Sequence, residues 1–96
     1  MEKTEIQFLE DLEEFFKVGV HHSWYFVKNA SVCIIKKYIE NEGSGCEIEI
    51  SEEDSERFKK YDNIRALDEV LEEIGIKTEE ILLLKDNFKL KITFEK

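Results

Sequence analysis

The sequence predicts an α+β fold in which helices pack on a small, mainly antiparallel three-stranded sheet. Apolar residues recur at three- and four-residue spacing in several segments, as in amphipathic helices, and alternate with polar residues in two others, as in strands. The polar positions are mostly Glu in the first alternating segment and Lys in the second. We expect these two strands to be neighbours, because opposite charges on adjacent strands attract each other.

The first predicted helix covers residues 4–19. Thr4 and Gln7 fit a capping box, in which each side chain accepts a hydrogen bond from a backbone N–H at the start of a helix. Gly19 is typical of a helix end. The apolar stripe consists of Ile6, Leu9, Leu12, Phe16 and Val20, with Phe8 and Phe15 beside it.

The next two segments differ in how clearly they can be interpreted. Residues 22–28 (HSWYFVK) fit either a buried strand or a helix, because four large apolar residues follow one another. Residues 30–43 favour a helix that Gly43 ends, with two lysines pointing away from the apolar face. That face consists of Ile34, Ile35, Tyr38 and Ile39.

Three strands are predicted, at residues 46–51, 80–85 and 88–95. Cys46, Ile48 and Ile50 alternate with polar residues in the first strand. The second is a short apolar run, and Asp86-Asn87 suits the tight turn of a hairpin that leads to the third. The inward residues of the third strand are Phe88, Leu90, Ile92 and Phe94.

Residues 51–76 predict two helices joined by a short turn. Ser51 with Asp54 is a second capping signal, and Asp62-Asn63 can interrupt the helix and cap the next one. Gly75 fits the end of the second helix. The first stripe is Phe58 and Tyr61, and the stronger second stripe is Ile64, Leu67, Leu71 and Ile74.

Length and charge restrict the function. Ninety-six residues indicate one domain, 1–96, formed by the N-terminal helix (4–19) and a unit over residues 30–96. The net charge is −9, and residues 40–56 hold eight acids and no base. This charge repels phosphate backbones and anionic membranes, so nucleic-acid binding and membrane binding are disfavoured.

The sequence carries no signal-peptide pattern and no apolar run approaching 18 residues, which favours a cytoplasmic protein without a membrane span. The two cysteines do not form a disulfide framework, and we expect both to be reduced. His21 and His22 could join Cys33 and Cys46 at a zinc site, but close ligand pairs such as Cys-x-x-Cys are absent. We expect no metal, no cofactor, no small-molecule ligand and no catalytic residues.

From residue 30 the order is helix, strand, helix, helix, hairpin. Within it, IRALDEVLEEIGI (64–76) carries a Leu-x-x-x-Leu stripe that runs into a Gly before the hairpin. This pattern resembles a winged-helix domain with an extra N-terminal helix. The resemblance implies a regulator whose DNA contacts would be Arg65 on the recognition helix and Lys85, Lys89 and Lys91 on the hairpin. The helix departs from the family pattern by exposing mostly acids, which favours a protein-docking role instead.

The leading hypothesis is a non-enzymatic protein-interaction module that forms a dimer. Large aromatic side chains are enriched at the centres of interfaces, although all of those in this chain could instead be internal. The candidate contact residues are Phe8, Phe16, His21, His22, Trp24 and Tyr25. A winged-helix-like transcription regulator is the second hypothesis. An acidic nucleic-acid mimic or inhibitor that uses the acids of residues 40–56 is the third.

Overall fold

The computed structural model describes residues 3–18 and 24–96 and confirms the α+β class. Four helices and three strands follow one another along these residues. They are α1 (Glu5–Lys17), α2 (Tyr25–Glu40), β1 (Cys46–Glu49), α3 (Glu52–Phe58), α4 (Tyr61–Glu73), β2 (Thr78–Leu84) and β3 (Lys89–Phe94).

The sheet has the order β1-β3-β2, and both ladders are antiparallel. The predicted pairing of the Glu-bearing and Lys-bearing strands is confirmed, since Glu47 lies opposite Lys91 and Glu49 opposite Lys89. On the other face, Leu90 and Ile92 of β3 are fully buried. The inner face of β3 therefore forms one side of the core, while the lysines of β3 lie on the outer face of the sheet.

Helices α2 and α4 contribute most of the side chains that cover the inner face of β3. The predicted apolar stripes of both are buried or half-buried in one cluster with the inner face of the sheet. The fully buried apolar residues of α2 and α4 are Val27, Ile34, Ile35, Leu67, Val70 and Leu71. Burying a side chain of this size stabilises a fold by about 1.5–3 kcal/mol, so this contact accounts for much of the stability.

Helix α1 begins as predicted, but it turns a different face inward. The Thr4 side chain accepts from the Gln7 N–H, and the Gln7 side chain accepts from the Thr4 N–H. Phe8 and Leu12 are buried, whereas Ile6, which the predicted stripe placed inward, is 69% exposed. Two residues correspond to about 200° around a helix, so burying Phe8 turns Ile6 outward.

Contacts with distant residues fix this rotation of α1. The Phe8 ring meets Tyr38 edge to face at 5.8 Å between centroids. Lys3 Nζ donates to the carbonyl of Ile74 at the end of α4 (2.6 Å), lies 5.0 Å from the centre of the Phe8 ring and pairs with Asp11. A cation at a helix C-terminus is favourable, so Lys3 ties the start of α1 to the end of α4.

The ambiguous residues after α1 are helical where the structure describes them. Helix α2 begins at Tyr25, five residues before the predicted start, and buries Phe26 and Val27. Residues 22 and 23 of that segment, together with Gly19 and Val20, lie outside the described residues.

Two predicted helix signals between β1 and β2 are confirmed. The Ser51 side chain accepts from the Asp54 N–H (2.9 Å). Gly75 has φ +101° at the end of α4, and the Ile76 N–H donates to the Leu71 carbonyl (2.8 Å), as in a Schellman motif.

The break between the two helices comes before Asp62-Asn63, because α4 already begins at Tyr61. Asn63 still ties the turn together, since its side-chain amide donates to the Arg57 carbonyl at 2.7 Å.

The hairpin differs from the prediction in which residue adopts a positive φ. Leu84 pairs with Lys89, which leaves four residues in the loop, and the positive φ (+51°) falls on Phe88. Phe88 is therefore an exposed loop residue, and its prediction as an inward strand residue was wrong. Four-residue hairpin loops are usually built around a type I turn, so the loop length rather than Asp86-Asn87 decides this geometry.

Helix α2 also ends with a non-glycine residue in the left-handed region. Gly43 N–H donates to the Tyr38 carbonyl (2.9 Å), which makes Glu42, with φ +54°, the residue after the cap. A side chain costs about 1–2 kcal/mol in this conformation, whereas Gly adopts it freely.

We predict that Glu42→Gly raises the free energy of unfolding. The expected gain is up to about 1 kcal/mol, because the relief of strain exceeds the extra entropy that Gly gives the unfolded chain. Urea denaturation followed by circular dichroism measures it. Glu69→Gly, the same exchange at an exposed position inside α4, should instead cost about 1 kcal/mol. A loss of stability in both variants would contradict the prediction.

Candidate interaction surface

The described residues offer no obvious chemical centre. No group of three or more His, Cys, Asp or Glu side chains among residues 3–18 and 24–96 is placed to hold a metal ion. His21 and His22 lie outside the described residues. None of the described helices is long and apolar enough to cross a membrane. Exposed apolar side chains and the charges around them form the candidate surfaces.

The aromatic residues predicted to contact a partner differ widely in their exposed fraction. Phe8 is 4% exposed and belongs to the core, so it has little surface to offer a partner. Phe16 and Trp24 are half-buried and pack against the core, and Tyr25 is 63% exposed. Only Tyr25 of these four is largely at the surface.

The surroundings of Phe16 limit its access further. Lys28 Nζ lies 5.8 Å from the centre of the Phe16 ring and forms an ion pair with Glu13 at 2.8 Å. The ammonium group therefore lies between α1 and α2 beside the ring.

Exposed aliphatic residues of α1 form a surface whose residues were not among the predicted contact residues. Ile6 is 69% exposed and Leu9 half-buried, and they line a shallow groove of about 400 Å³ together with charged residues. We call this groove the α1 surface; its residues are Ile6, Leu9, Glu10, Glu13, Glu14 and Lys17. Val18, which is 73% exposed, follows at the C-terminal end of the helix. Apolar surface edged by the exposed carboxylates of Glu10 and Glu14 fits a partner that carries apolar residues beside cations.

The sequence contains the apolar residues of this surface, but their spacing does not show which stripe of α1 is exposed. Helix α1 carries two overlapping apolar stripes, one through Ile6 and Leu9 and one through Phe8 and Leu12. Periodicity alone cannot decide which stripe is buried, because the answer depends on residues such as Tyr38 and Ile74 on other elements.

The residues of the DNA-binding hypothesis do not form a basic surface. Arg65 is exposed on α4, but the exposed side chains around it on that helix are mostly acids: Asp62, Glu69, Glu72 and Glu73. Lys85 lies in the hairpin loop, Lys89 Nζ is 3.9 Å from a Glu47 carboxylate oxygen, and Lys91 lies opposite Glu47 in the sheet. Lys89 and Lys91 therefore face the glutamates of β1.

The acids of residues 40–56 are likewise partly neutralised within the chain. Arg57 donates to Asp54 (2.7 Å) and Glu53 (2.6 Å), and these hydrogen bonds raise the pKa of its guanidinium. Five of the eight acids lie in ion pairs with described cations: Glu40, Glu47, Glu53, Asp54 and Glu56. Exposed ion pairs contribute little to stability, but they place positive charges beside the acids of residues 40–56.

The two cysteines lie in different environments. Cys33 is exposed on α2, and Cys46 is half-buried at the start of β1. Burial raises the pKa of the Cys46 thiol to about 11, and the nearby Lys37 offsets part of this rise. Cys46 is therefore protonated at neutral pH, which is unfavourable for a nucleophile.

No protein-family model, no curated protein and no solved structure matches the chain.

We predict that the Cys46 thiol reacts with iodoacetamide much more slowly in the native protein than in the unfolded chain at pH 7.5. The pKa of Cys46 leaves roughly 300-fold less thiolate than an ordinary thiol of pKa about 8.5 provides. In Cys33→Ser, where only Cys46 can react, alkylation of the native protein should be at least about 100-fold slower than in guanidinium chloride. Mass spectrometry follows the reaction. Equal rates in the native and unfolded chains would contradict the raised pKa.

Proposed function

We propose that the chain is a non-enzymatic protein-interaction module that binds a cationic partner protein through the α1 surface. The observation that carries this proposal is Ile6, an aliphatic side chain held 69% exposed beside Leu9 by a helix whose rotation is fixed elsewhere. Isolated exposed aliphatic residues are common on proteins. Here the groove supplies a shape as well, and the exposed Glu10 and Glu14 supply negative charge, while Glu13 is paired with Lys28.

Charge indicates which partner suits the α1 surface. Glu10 and Glu14 are exposed, and two copies of this helix placed face to face would bring the carboxylates of both together. The net charge of −9 adds a general repulsion between copies. A protein whose apolar side chains are ringed by Lys or Arg avoids both costs, so the dimer expected from the sequence is not assigned to this surface.

The proposal predicts that substitutions on α1 weaken binding. Substitutions elsewhere that change the net charge by the same amount should have little effect. The tagged chain captures the partner from a lysate of the native host, and the purified partner is then titrated against variants by calorimetry. Ile6→Lys and the double variant Glu10→Lys/Glu14→Lys should each weaken binding by about 10-fold or more.

The matched control is Glu72→Lys/Glu73→Lys at exposed positions on α4, which changes the net charge by the same amount. It should change affinity by about twofold or less, and circular dichroism checks that every variant is folded. Equal losses in the two double variants would mean that total charge rather than the α1 surface determines binding, and would refute the proposal.

A winged-helix-like regulator is the second candidate, and the order of elements favours it. From α2 onward the chain runs helix, strand, helix, helix, hairpin, with β1 beside β3. The acids exposed on α4 and the glutamates that face Lys89 and Lys91 weigh against it. This candidate predicts salt-dependent binding to duplex DNA at about 50 mM salt, measured by fluorescence anisotropy; absence of binding there would rule it out.

A nucleic-acid mimic is supported less well. Such a protein presents free carboxylates to the basic groove of a partner, whereas five of the eight acids of residues 40–56 already contact cations of this chain.

A further inference from the structure

Helix α2 lies beside α1, and two contacts show how the helices are aligned. Towards the end of α1, Glu13 forms an ion pair with Lys28, near the start of α2, at 2.8 Å. Towards the start of α1, the Phe8 ring contacts Tyr38, near the end of α2. The two helices therefore run antiparallel. We call the line along which they meet, marked by the Glu13–Lys28 pair, the seam.

The residues of α1 become more exposed with distance from the core side of the seam. At about 100° per residue, Leu9 lies about 40° from Glu13 on the core side, and it is half-buried. Ile6 lies about 20° from Glu13 in the opposite direction, towards solvent, and is 69% exposed. Glu10 and Glu14 follow at about 60° and 100°, and both are exposed. The carboxylates therefore line the outer rim of α1, beyond its apolar residues.

Helix α2 shows the same gradient on the other side of the seam. The buried Ile35 lies about 20° from Lys28 towards the core. Val32 lies about 40° from Lys28 towards solvent and is half-buried, and Tyr25 follows at about 60° and is 63% exposed. Lys36, at about 80°, is exposed. The apolar α1 surface therefore continues across the seam onto α2, where its outer rim is cationic.

The charges of α2 differ from those of the rest of this acidic chain. Residues 19–39 contain three lysines and no acid. Lys28 is paired with Glu13, and Lys37 lies 3.6 Å from a Glu40 carboxylate oxygen. Lys36 forms no ion pair with another described residue. One rim of the two-helix surface thus presents exposed carboxylates, and the other presents an exposed ammonium group.

We propose that the partner of the α1 surface contributes an amphipathic helix that lies along the seam, with cations on its flank beside α1 and carboxylates on its flank beside α2. This inference rests on the proposed function, because the α1 surface forms half of the site. A helix placed over two antiparallel helices buries its apolar stripe against both of them. A partner with cations on both flanks would place one of them beside Lys36, in a segment without acids to offset the repulsion.

Synthetic peptides test the charge pattern by fluorescence anisotropy at about 100 mM salt, where charges are screened beyond about 10 Å. The two-sign peptide is an Ala-rich helix of about 18 residues with a Leu stripe, Lys on one flank and Glu on the other. Lys36→Glu should weaken its binding by about threefold or more, because the Glu flank then meets a carboxylate. The matched control is Lys77→Glu, at an exposed position after α4, which should change the affinity by about twofold or less.

A second peptide, with Lys on both flanks, should respond in the opposite way. Lys36→Glu should tighten its binding relative to Lys77→Glu, because the substitution replaces a cation beside the peptide with a carboxylate. Ile6→Lys should weaken the binding of the two-sign peptide by about 10-fold or more, since it disrupts the apolar side of the seam. Circular dichroism checks that every variant is folded.

The possible failures separate this inference from the proposed function. If Lys36→Glu tightens the binding of the two-sign peptide, or changes it no more than Lys77→Glu does, the seam is not the site of a two-sign helix. A loss of binding in Ile6→Lys would then still support the α1 surface. An affinity that Ile6→Lys leaves unchanged would refute both. Absence of binding up to about 1 mM of the two-sign peptide would overturn a helical occupant.

Discussion

Strand β3 pairs with β1 on one side and with β2 on the other, and the rest of the fold depends on these two ladders. Its inward residues Leu90, Ile92 and Phe94 are buried in the core, while Lys89 and Lys91 face the glutamates of β1. Burial of each inward side chain is worth about 1.5–3 kcal/mol, and each cross-strand Glu–Lys pair only about 0.2–1 kcal/mol. Burial therefore stabilises the sheet. A slip of one residue would expose the apolar face, so the same residues also fix the register.

Features governed by local chemistry could be predicted from the sequence. The alternation of β1 and β3 and the caps at Thr4, Ser51 and Gly75 each depend on neighbouring residues alone. The sequence-based predictions were wrong where contacts with distant residues determine the structure. Ile6 was expected inside, but Tyr38 and Ile74 hold α1 with Phe8 inward. These contacts join residues 30 to 71 positions apart, beyond the reach of any helical period.

The aromatic residues show why the candidate site was harder to predict than the fold. Their number suggested that some would form an interface, yet the chain uses several of them to fill its core. Tyr38 meets Phe8 at 5.8 Å and Phe94 at 4.8 Å between ring centroids, and Phe26 meets Phe58 at 4.9 Å. A chain of 96 residues has few side chains with which to fill its interior, and rings fill the most volume per residue. The large apolar side chains that are exposed among the described residues are both aliphatic and aromatic, and composition does not distinguish them from core residues: Ile6, Val18, Tyr25, Leu82 and Phe88.

The two edge strands of the sheet each carry a feature that opposes uncontrolled strand pairing. A sheet with two open edges can add strands on both sides and grow into a fibre. On β1 the outward Glu47 and Glu49 disfavour a second β1, because like charges on neighbouring strands repel each other. On β2 the register irregularity between Thr78 and Glu80 shortens the stretch that can pair evenly. The glutamates of β1 therefore have a structural use that requires no ligand.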